Sequence, residues 1–236
     1  KYVTQMGLDE TGILTSASDY HIFLKLRKTR QQALEGYLDI AKEALDQGVI
    51  PRCHFEDITR ADYEGFVLPF AAELLKLSEE YQKPVKIRLC DTMGYALPWA
   101  ESSLPRSLPK LIKGLRDIGF PSERLEWHGH NDFHKVQVNG ATAWLYGCSA
   151  TNAAIFGVGE RTGNPPLEAM VVEHAQIKGM TEGVNYPAIT KMAQYAQKEL
   201  DFNIPSNYPL VGSGFNVTRA GIHADGLIKN PEIYNP

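Results

Sequence analysis

The sequence predicts an α/β fold in which helices flank a parallel sheet. A strand-like run, a turn and an amphipathic helix recur five times, and polar residues cluster where each strand-like run ends. Clusters of this kind lie at the carboxyl edge of (β/α)8 barrels and of open α/β sheets, where both architectures build their active sites. The pattern therefore predicts an enzyme.

The composition indicates which kinds of molecule the protein binds. The formal charge of -4 and the lack of any Lys/Arg block argue against binding to nucleic acid or to an anionic membrane surface. No apolar run approaches the roughly 20 residues of a membrane span, and the first residues do not resemble a signal peptide. We therefore expect a cytoplasmic protein that acts on small molecules. The three cysteines, Cys53, Cys90 and Cys148, are widely spaced and predict buried, reduced thiols.

The first βα unit pairs a strand over residues 12–18 with a helix over residues 29–47. Thr29 and Gln32 fit a capping box at the start of this helix, and Gly48 is typical of a helix end. Apolar residues at helical spacing predict which side of the helix is buried. They are Leu34, Leu38, Ala41 and Leu45.

The second unit pairs a strand over residues 49–58 with a helix over residues 62–81. Pro69 should kink this helix or delay its start, because proline lacks the backbone N–H that a helix interior needs. The apolar side of the helix is expected to carry Phe66, Phe70, Leu74 and Leu77.

Three further units follow before the pattern changes. Their strands are predicted over residues 85–90, 124–130 and 149–156, and their helices over residues 108–118, 133–146 and 166–177. Beyond them come a helix over residues 187–200 and a stretch rich in Pro, Asn, Ser and Gly at 204–214. We therefore divide the chain into a partial barrel over 1–180 and a helical segment over 181–236.

The sharpest local feature is His128-Gly129-His130. Residues two apart in a strand point to the same side, so the two imidazoles should face one point. An isolated pair of this kind is more often simply hydrogen-bonded. Here the pair ends a strand and is followed by Asn131 and Asp132, which favours a divalent-metal site.

A glycine-rich segment, GVGERTGN at residues 157–164, follows the fifth predicted strand. Its spacing fits neither a dinucleotide fingerprint nor a P-loop. A tight turn would explain the glycines but not Glu160, Arg161 and Asn164. The amide oxygen of Asn164, together with imidazoles, suits Mn²⁺, Mg²⁺ or Zn²⁺.

Three motifs in order carry a family resemblance: HGHND at 128–132, GVGERTGN at 157–164 and GIHADG at 221–226. Together they resemble the metal-dependent family of isopropylmalate, homocitrate and citramalate synthases and hydroxymethylglutaryl-CoA lyase. The segments SDYH at 18–21, FEDITR at 55–60 and DTMG at 91–94 extend the resemblance over nearly the whole chain. Residues 13–21, 127–133 and 215–223 are most similar to the Re-face citrate synthase branch.

The resemblance implies roles for individual residues. It implies that His128, His130 and Asn164 hold a divalent metal ion, and that Glu56 is a catalytic residue near the reacting acetyl group. It also implies a homodimer in which two further catalytic residues, His223 and Tyr234, reach the neighbouring site, with His223 taking a proton from the acetyl methyl group. Without the resemblance, we would interpret His223 as a loop or helix-cap residue. The expected substrate-binding residues are Arg52, His54, Thr92 and His21.

The resemblance also implies a fold and a reaction. The fold would be a (β/α)8 TIM barrel, here only its last five or so βα units, plus the start of a C-terminal helical subdomain. The reaction would be an acyltransferase condensation of acetyl-CoA with an α-keto acid, oxaloacetate first, with release of CoA. Since nothing matches the family's first strand, which carries an acidic metal ligand and an arginine, we expect a fragment.

Other reactions stay open at this point. Homocitrate or 2-isopropylmalate synthesis is the nearest alternative, although Thr218 and Arg219 stand where synthases of the isopropylmalate type usually carry His-Glu or His-Lys. An acyl-CoA lyase, a carboxyltransferase and a non-catalytic fragment are the alternatives of other classes. Residues 157–164 lack the cysteine that the lyases carry in this loop, which favours synthesis over cleavage.

Overall fold

The computed structural model describes residues 2–180 and 183–234. Five parallel strands form one sheet in the order of the chain, with each strand hydrogen-bonded to the next, so the predicted α/β fold is confirmed. The strands are β1 (Glu10–Ser16), β2 (Ile50–Glu56), β3 (Lys86–Asp91), β4 (Leu125–Gly129) and β5 (Ala150–Thr151).

Helices connect and follow the strands. They are α1 (Tyr2–Gln5), α2 (Arg30–Asp46), α3 (Leu68–Glu80), α4 (Leu108–Asp117), α5 (Val136–Tyr146), α6 (Leu167–Lys178), α7 (Tyr186–Glu199) and α8 (Gly221–Lys229). The chain forms two compact units, Lys1–His174 and Ala175–Pro236, and the sheet lies in the first. Over the described residues, every helix is too short or too polar to cross a membrane.

Helix α2 begins at the predicted capping box. The Thr29 hydroxyl accepts from the Gln32 N–H at 3.2 Å, and the Gln32 carboxamide accepts from the Thr29 N–H at 2.9 Å. The buried side is rotated by one residue from the prediction at its N-terminal half. Leu34 and Leu38 only border the core. The buried residues are Ala33, Tyr37, Ala41 and Leu45.

Helix α3 starts late, as Pro69 predicts. A π-helical turn, Tyr63–Val67, precedes it, and Pro69 occupies its first turn, where the missing N–H has no helical acceptor to satisfy. The apolar residues predicted for this helix are all buried: Phe66, Phe70, Leu74 and Leu77.

The fifth strand is shorter than the sequence suggests, since only Ala150–Thr151 pair with β4. After β5 the chain enters a 3-10 turn, Ile155–Gly157, in which Phe156 adopts φ 53°. The Ala154 N–H donates to Pro165, and the Ala154 carbonyl accepts from Leu167. The predicted strand over 149–156 is therefore wrong beyond Thr151, because this backbone pairs with the segment that follows the glycine-rich loop.

The two faces of the sheet differ in chemistry. The side chains that point toward the helices are apolar and almost fully buried: Cys53, Phe55, Ile87, Leu89, Leu125 and Trp127. The opposite face carries mostly polar side chains, and register places Glu56, Cys90 and His128 in one row across β2, β3 and β4. All three cysteines of the chain are buried and free, as predicted.

Candidate metal and substrate site

His128 and His130 meet at the carboxyl end of β4. Their ring centroids lie 5.1 Å apart at an interplanar angle of 85°. The Nδ1 atom of His128 lies 3.2 Å from Asn152 Oδ1, and Nδ1 of His130 lies 3.3 Å from the Asp91 carbonyl. Because both partners are acceptors, each Nδ1 is the protonated nitrogen and each Nε2 keeps its lone pair for a ligand. Burial, and then the nearby His130, lower the pKa of His128, which keeps this imidazole neutral.

Asn164 is tied to the end of the same strand. Its Nδ2 donates to the Gly129 carbonyl at 2.8 Å, between the two histidines, and the Asn131 N–H donates to Gly163 at 2.9 Å. The Oδ1 atom of Asn164 faces Gly159, where a Cβ atom would lie only 2.0 Å from it. Glycine at 159 is therefore what leaves this carboxamide its space beside the histidine pair.

The donor chemistry fits part of a divalent-ion site. Mn²⁺, Zn²⁺ and Mg²⁺ differ in their preference for nitrogen or oxygen ligands, and two imidazole nitrogens with one amide oxygen offer both kinds. A catalytic ion also keeps coordination positions open for water or substrate. Within residues 2–180 and 183–234, His, Cys, Asp and Glu side chains nowhere form a group of three or more able to hold a metal ion. The acidic ligand that the family resemblance implies is thus not supplied beside His128 by the described residues.

Thr92 follows β3 and lies next to this site. Its Oγ1 accepts from the Asp57 N–H at 2.8 Å, so its hydroxyl proton can still be donated to a ligand. Gly94 brings the two loops into contact: its φ is +69°, and a Cβ atom there would lie 3.0 Å from the His130 carbonyl and 3.1 Å from Asp132. The loop after β3 is therefore packed directly on the loop after β4.

Glu56 ends β2, and three side chains contact its carboxylate. Ser16 Oγ donates at 2.5 Å, Lys25 Nζ lies at 2.9 Å, and His21 Nδ1 lies 3.0 Å from the carboxylate. Burial acts to raise the pKa of Glu56, but the hydrogen bonds from Ser16, His21 and Lys25 outweigh it, and the net shift of the pKa is downward. Glu56 is therefore held as a carboxylate, with His21 against it.

Arg52 lies nearer the start of β2 than Glu56 does. It precedes Glu56 by four residues on β2, about 13 Å at the rise of a strand. Its guanidinium pairs with Glu10 and lies 3.4 Å from Glu126. The structure thus gives Arg52 two carboxylate partners within the protein, and its binding of a substrate carboxylate stays a prediction.

His54 lies between Arg52 and Glu56 on the same face. Its ring covers Gly12, where a Cβ atom would lie 2.8 Å from it. Its Nε2 is buried and makes no hydrogen bond to the described residues. Burial, followed by the charges of Arg88 and Arg52, lowers the pKa of His54 to about 4. The imidazole is therefore neutral.

The other two predicted catalytic residues belong to the second unit. His223 is exposed on α8. Tyr234 ends a 3-10 turn, Pro231–Tyr234, and its side chain lies outside the described residues. Their roles stay predictions.

Comparison with known proteins identifies the family of this chain. The model of the HMGL-like family matches residues 3–195, which is most of the chain. The chain belongs to the HMGL-like family. Among its relatives are the Citrate (Re)-synthase of Syntrophus aciditrophicus, 60% identical over 234 residues, and that of Clostridium kluyveri, 56% identical over 236 residues. These matches cover 99% and 100% of this HMGL-like chain but 37% and 52% of the two relatives.

Solved structures place the HMGL-like fold. Hydroxymethylglutaryl-CoA lyase from Pseudomonas aeruginosa superposes with a TM-score of 0.63 at 20% sequence identity, covering 86% of this chain and 66% of the lyase. The five βα units thus correspond to part of a TIM-barrel fold. The HMGL-like chain spans about a third to a half of the length of the synthases it matches.

Three contacts within this HMGL-like site escaped the sequence analysis. Ser16 and Lys25 hold Glu56, and Arg161 binds Asp132. Ser16 carried a signal, since it lies two residues beyond Leu14 on the polar face of β1 and opposite Glu56 in register. The glycine-rich motif drew attention to Arg161 but not to its partner, and nothing in the sequence indicated Lys25, because each of the two reaches its partner from a turn or loop whose path the sequence does not reveal.

Proposed function

We propose that the protein condenses acetyl-CoA with oxaloacetate and releases citrate and CoA. The observation that carries the proposal is the junction of His128, His130 and Asn164 at the carboxyl edge of the sheet, in a chain 60% identical to a Citrate (Re)-synthase. In the reaction the acetyl methyl carbon loses a proton and bonds to the keto carbon, and water then cleaves the thioester. The identities favour this reaction over homocitrate and 2-isopropylmalate synthesis, whose enzymes match at 28–30%.

His128, His130 and Asn164 would hold a divalent ion, Mn²⁺, Mg²⁺ or Zn²⁺. When bound, that ion supplies a Lewis acid for the oxygens of the α-keto acid. The histidines offer their Nε2 atoms, because their Nδ1 atoms are already committed to Asn152 and to the Asp91 carbonyl. Their orientation is thereby set before any ligand arrives.

The polar residues around the histidines would orient the reactants. The Thr92 hydroxyl, which keeps its proton for donation, would bind the keto-acid carboxylate. Glu56, held ionised by Ser16, His21 and Lys25, would lie beside the acetyl group. His54 would border the keto acid as a neutral group, while Arg52 would remain paired with its carboxylates.

The proton of the acetyl methyl group requires a base. We assign this role to His223, because histidine is the side chain that most often serves as a general base, with Tyr234 as its partner and both acting at the site of a second subunit. The family resemblance supports this assignment. Homodimers of H223A or of H128A should then be inactive. Mixed dimers with one subunit of each should recover activity, because one of their two sites has both an intact His128 and an intact His223.

A substrate panel tests the proposal. The purified full-length protein is assayed for CoA release with acetyl-CoA and, in turn, oxaloacetate, 2-oxoglutarate, 2-oxoisovalerate and pyruvate. We expect kcat/KM for oxaloacetate to exceed the others by at least about 10-fold, since one methylene changes discrimination by about 10- to 200-fold. Higher kcat/KM with 2-oxoisovalerate would refute the citrate assignment, and H128A serves as the background control.

A further inference from the structure

Three loops that carry the site converge on one side chain, Arg161. Its Nε lies 2.9 Å from Asp132 Oδ1 and its Nη2 lies 3.1 Å from Asp132 Oδ2, which is a two-point contact with the loop after β4. The same Nη2 donates to the Thr92 carbonyl in the loop after β3. Arg161 itself belongs to the glycine-rich loop, three residues before Asn164.

The backbone at this junction is shaped around the contact. Arg161 adopts φ 54°, a left-handed conformation that is unfavourable for a residue other than glycine and persists where surrounding contacts enforce it. The Asn131 N–H donates to the Gly163 carbonyl, so the loop is joined to the β4 loop a second time, two residues beyond the arginine. Tight packing of Gly94 on His130 and Asp132 leaves little room for independent movement of the loops.

We propose that Arg161 and Asp132 form a positioning pair that sets Thr92, His130 and Asn164 relative to one another. The inference rests on the proposed function of the site. Neither side chain takes the place of a ligand, because both ends of the guanidinium fork are occupied by protein oxygens. Their effect would reach the metal through Asn164 and His130, and the α-keto acid through Thr92.

The two residues are suited to this role by geometry more than by charge. The Arg161 side chain is 32% exposed and that of Asp132 is 18% exposed, so the pair contributes little to global stability. Lysine could replace the charge of Arg161 but not its two parallel N–H bonds. A positioning role therefore predicts that R161K restores function only in part.

The test compares R161Q, R161K and D132N with wild type in the purified full-length protein. The readouts are the Kd for Mn²⁺ from the electron paramagnetic resonance of bound ion, and KM for oxaloacetate. We expect R161Q and D132N to weaken Mn²⁺ binding by about 10- to 100-fold, as loss of a residue that orients a ligand does, and to raise KM by a similar factor. R161K should fall between wild type and R161Q, and R161Q/D132N should be no worse than R161Q within about twofold.

A matched control is R124Q. Arg124 precedes the other end of β4, where its Nη1 donates to Ser78 Oγ at 2.9 Å, so the substitution removes an arginine contact without touching the site. R124Q should leave the Kd for Mn²⁺ and KM within about twofold of wild type. Thermal melting of all metal-free variants shows whether each one is folded, which separates lost positioning from lost folding. If R161Q is unfolded, the Kd for Mn²⁺ and KM of R161K, the milder change, test the proposal.

The outcomes distinguish the positioning role from the proposed function. Wild-type affinity for Mn²⁺ and unchanged KM in folded R161Q or R161K would overturn the positioning role while leaving the proposed function intact. Wild-type protein that binds Mn²⁺ but releases no CoA with oxaloacetate would overturn the proposed function, and the Kd values would still judge the pair. Wild-type protein that binds neither Mn²⁺, Mg²⁺ nor Zn²⁺ would overturn both.

Discussion

The polar face of the sheet has two ends that differ in how their side chains are used. At the end where the strands begin, which we call the lower layer, charged groups pair with one another across strands. At the end where the strands finish, the upper layer, side chains keep an atom free for a ligand. The lower layer comprises Glu10, Arg52, Lys86, Arg88 and Glu126. The upper layer comprises Thr92, His128, His130 and Asn164.

The difference follows from the number of partners and not from polarity alone. In the lower layer, Glu126 lies against Arg88 and Arg52, and Glu10 lies against Arg52 and Lys86, so each carboxylate already has two cations. In the upper layer one nitrogen of each imidazole is occupied and the other remains. A polar residue on a barrel strand therefore marks a ligand site when the protein satisfies only part of its bonding capacity.

The largest expected effect is in the upper layer. H128A or H130A removes one of two imidazole donors, so the affinity for Mn²⁺ should fall by more than about 100-fold, beyond the loss expected for a residue that only orients a ligand. Titration calorimetry of the purified full-length protein measures it. H174A is the control, because His174 makes an edge-to-face contact with Trp144 at a centroid distance of 5.5 Å, away from the histidine pair, and its loss should not alter the affinity. Unchanged Mn²⁺ binding in both H128A and H130A would exclude this metal site.

A smaller effect, on stability, is expected in the lower layer. E126Q keeps the shape of a side chain that is 13% exposed but leaves Arg88 and Arg52 short of a carboxylate. We expect a loss of about 2 kcal/mol in the free energy of unfolding, below the value for a fully buried pair because these side chains are partly hydrated. Urea denaturation followed by circular dichroism measures it.

The exposed pair of Lys76 and Glu73 on α3 provides the comparison for E126Q. E73Q should change the free energy of unfolding by less than about 0.5 kcal/mol, because solvent screens such pairs. If E126Q were as mild as E73Q, the lower layer would not depend on its ion pairs for stability.

The sequence predicted more of the upper layer than of the lower. Alternation along β4 placed His128 and His130 on one side, and motif order added Asn164. The role expected for Arg52 assumed a free guanidinium, because its partners Glu10 and Glu126 lie on β1 and β4, and pairing across strands depends on a register that one sequence does not specify.

In the fold as well, features set by neighbouring residues were predicted and features set by contacts distant in sequence were not. The capping box of α2 and the late start of α3 were predicted, since each is decided within a few residues. The end of β5 was not, because Ala154 pairs with Pro165 and Leu167 across the glycine-rich loop. The fork of Arg161 onto Asp132 was missed for the same reason.

The smallest effect is expected at His54, which lies between the two layers. Folded protein binds a proton at this imidazole only near pH 4, because burial and the charges of Arg88 and Arg52 lower its pKa, whereas an ordinary histidine binds one near pH 6.5. Between these values the unfolded chain takes up a proton that the native state does not, so His54 costs stability as the pH falls. H54Q lacks this titration. Lowering the pH from 6.5 to 4 should therefore raise the free energy of unfolding of H54Q relative to wild type by about 1 kcal/mol, a figure reduced for partial exposure.

Urea denaturation of wild type and H54Q at several pH values checks this difference, and salt separates its causes. In about 1 M potassium chloride the Debye length is about 3 Å, so the contribution of Arg88 and Arg52 should shrink while that of burial persists. Because burial is the larger cause, most of the difference should remain in salt. A difference that vanished in salt would assign the lowered pKa to the lower layer's cations. Parallel curves without salt would mean that His54 is protonated as readily in the native state as in the unfolded chain, and a neutral imidazole between the two layers would be excluded.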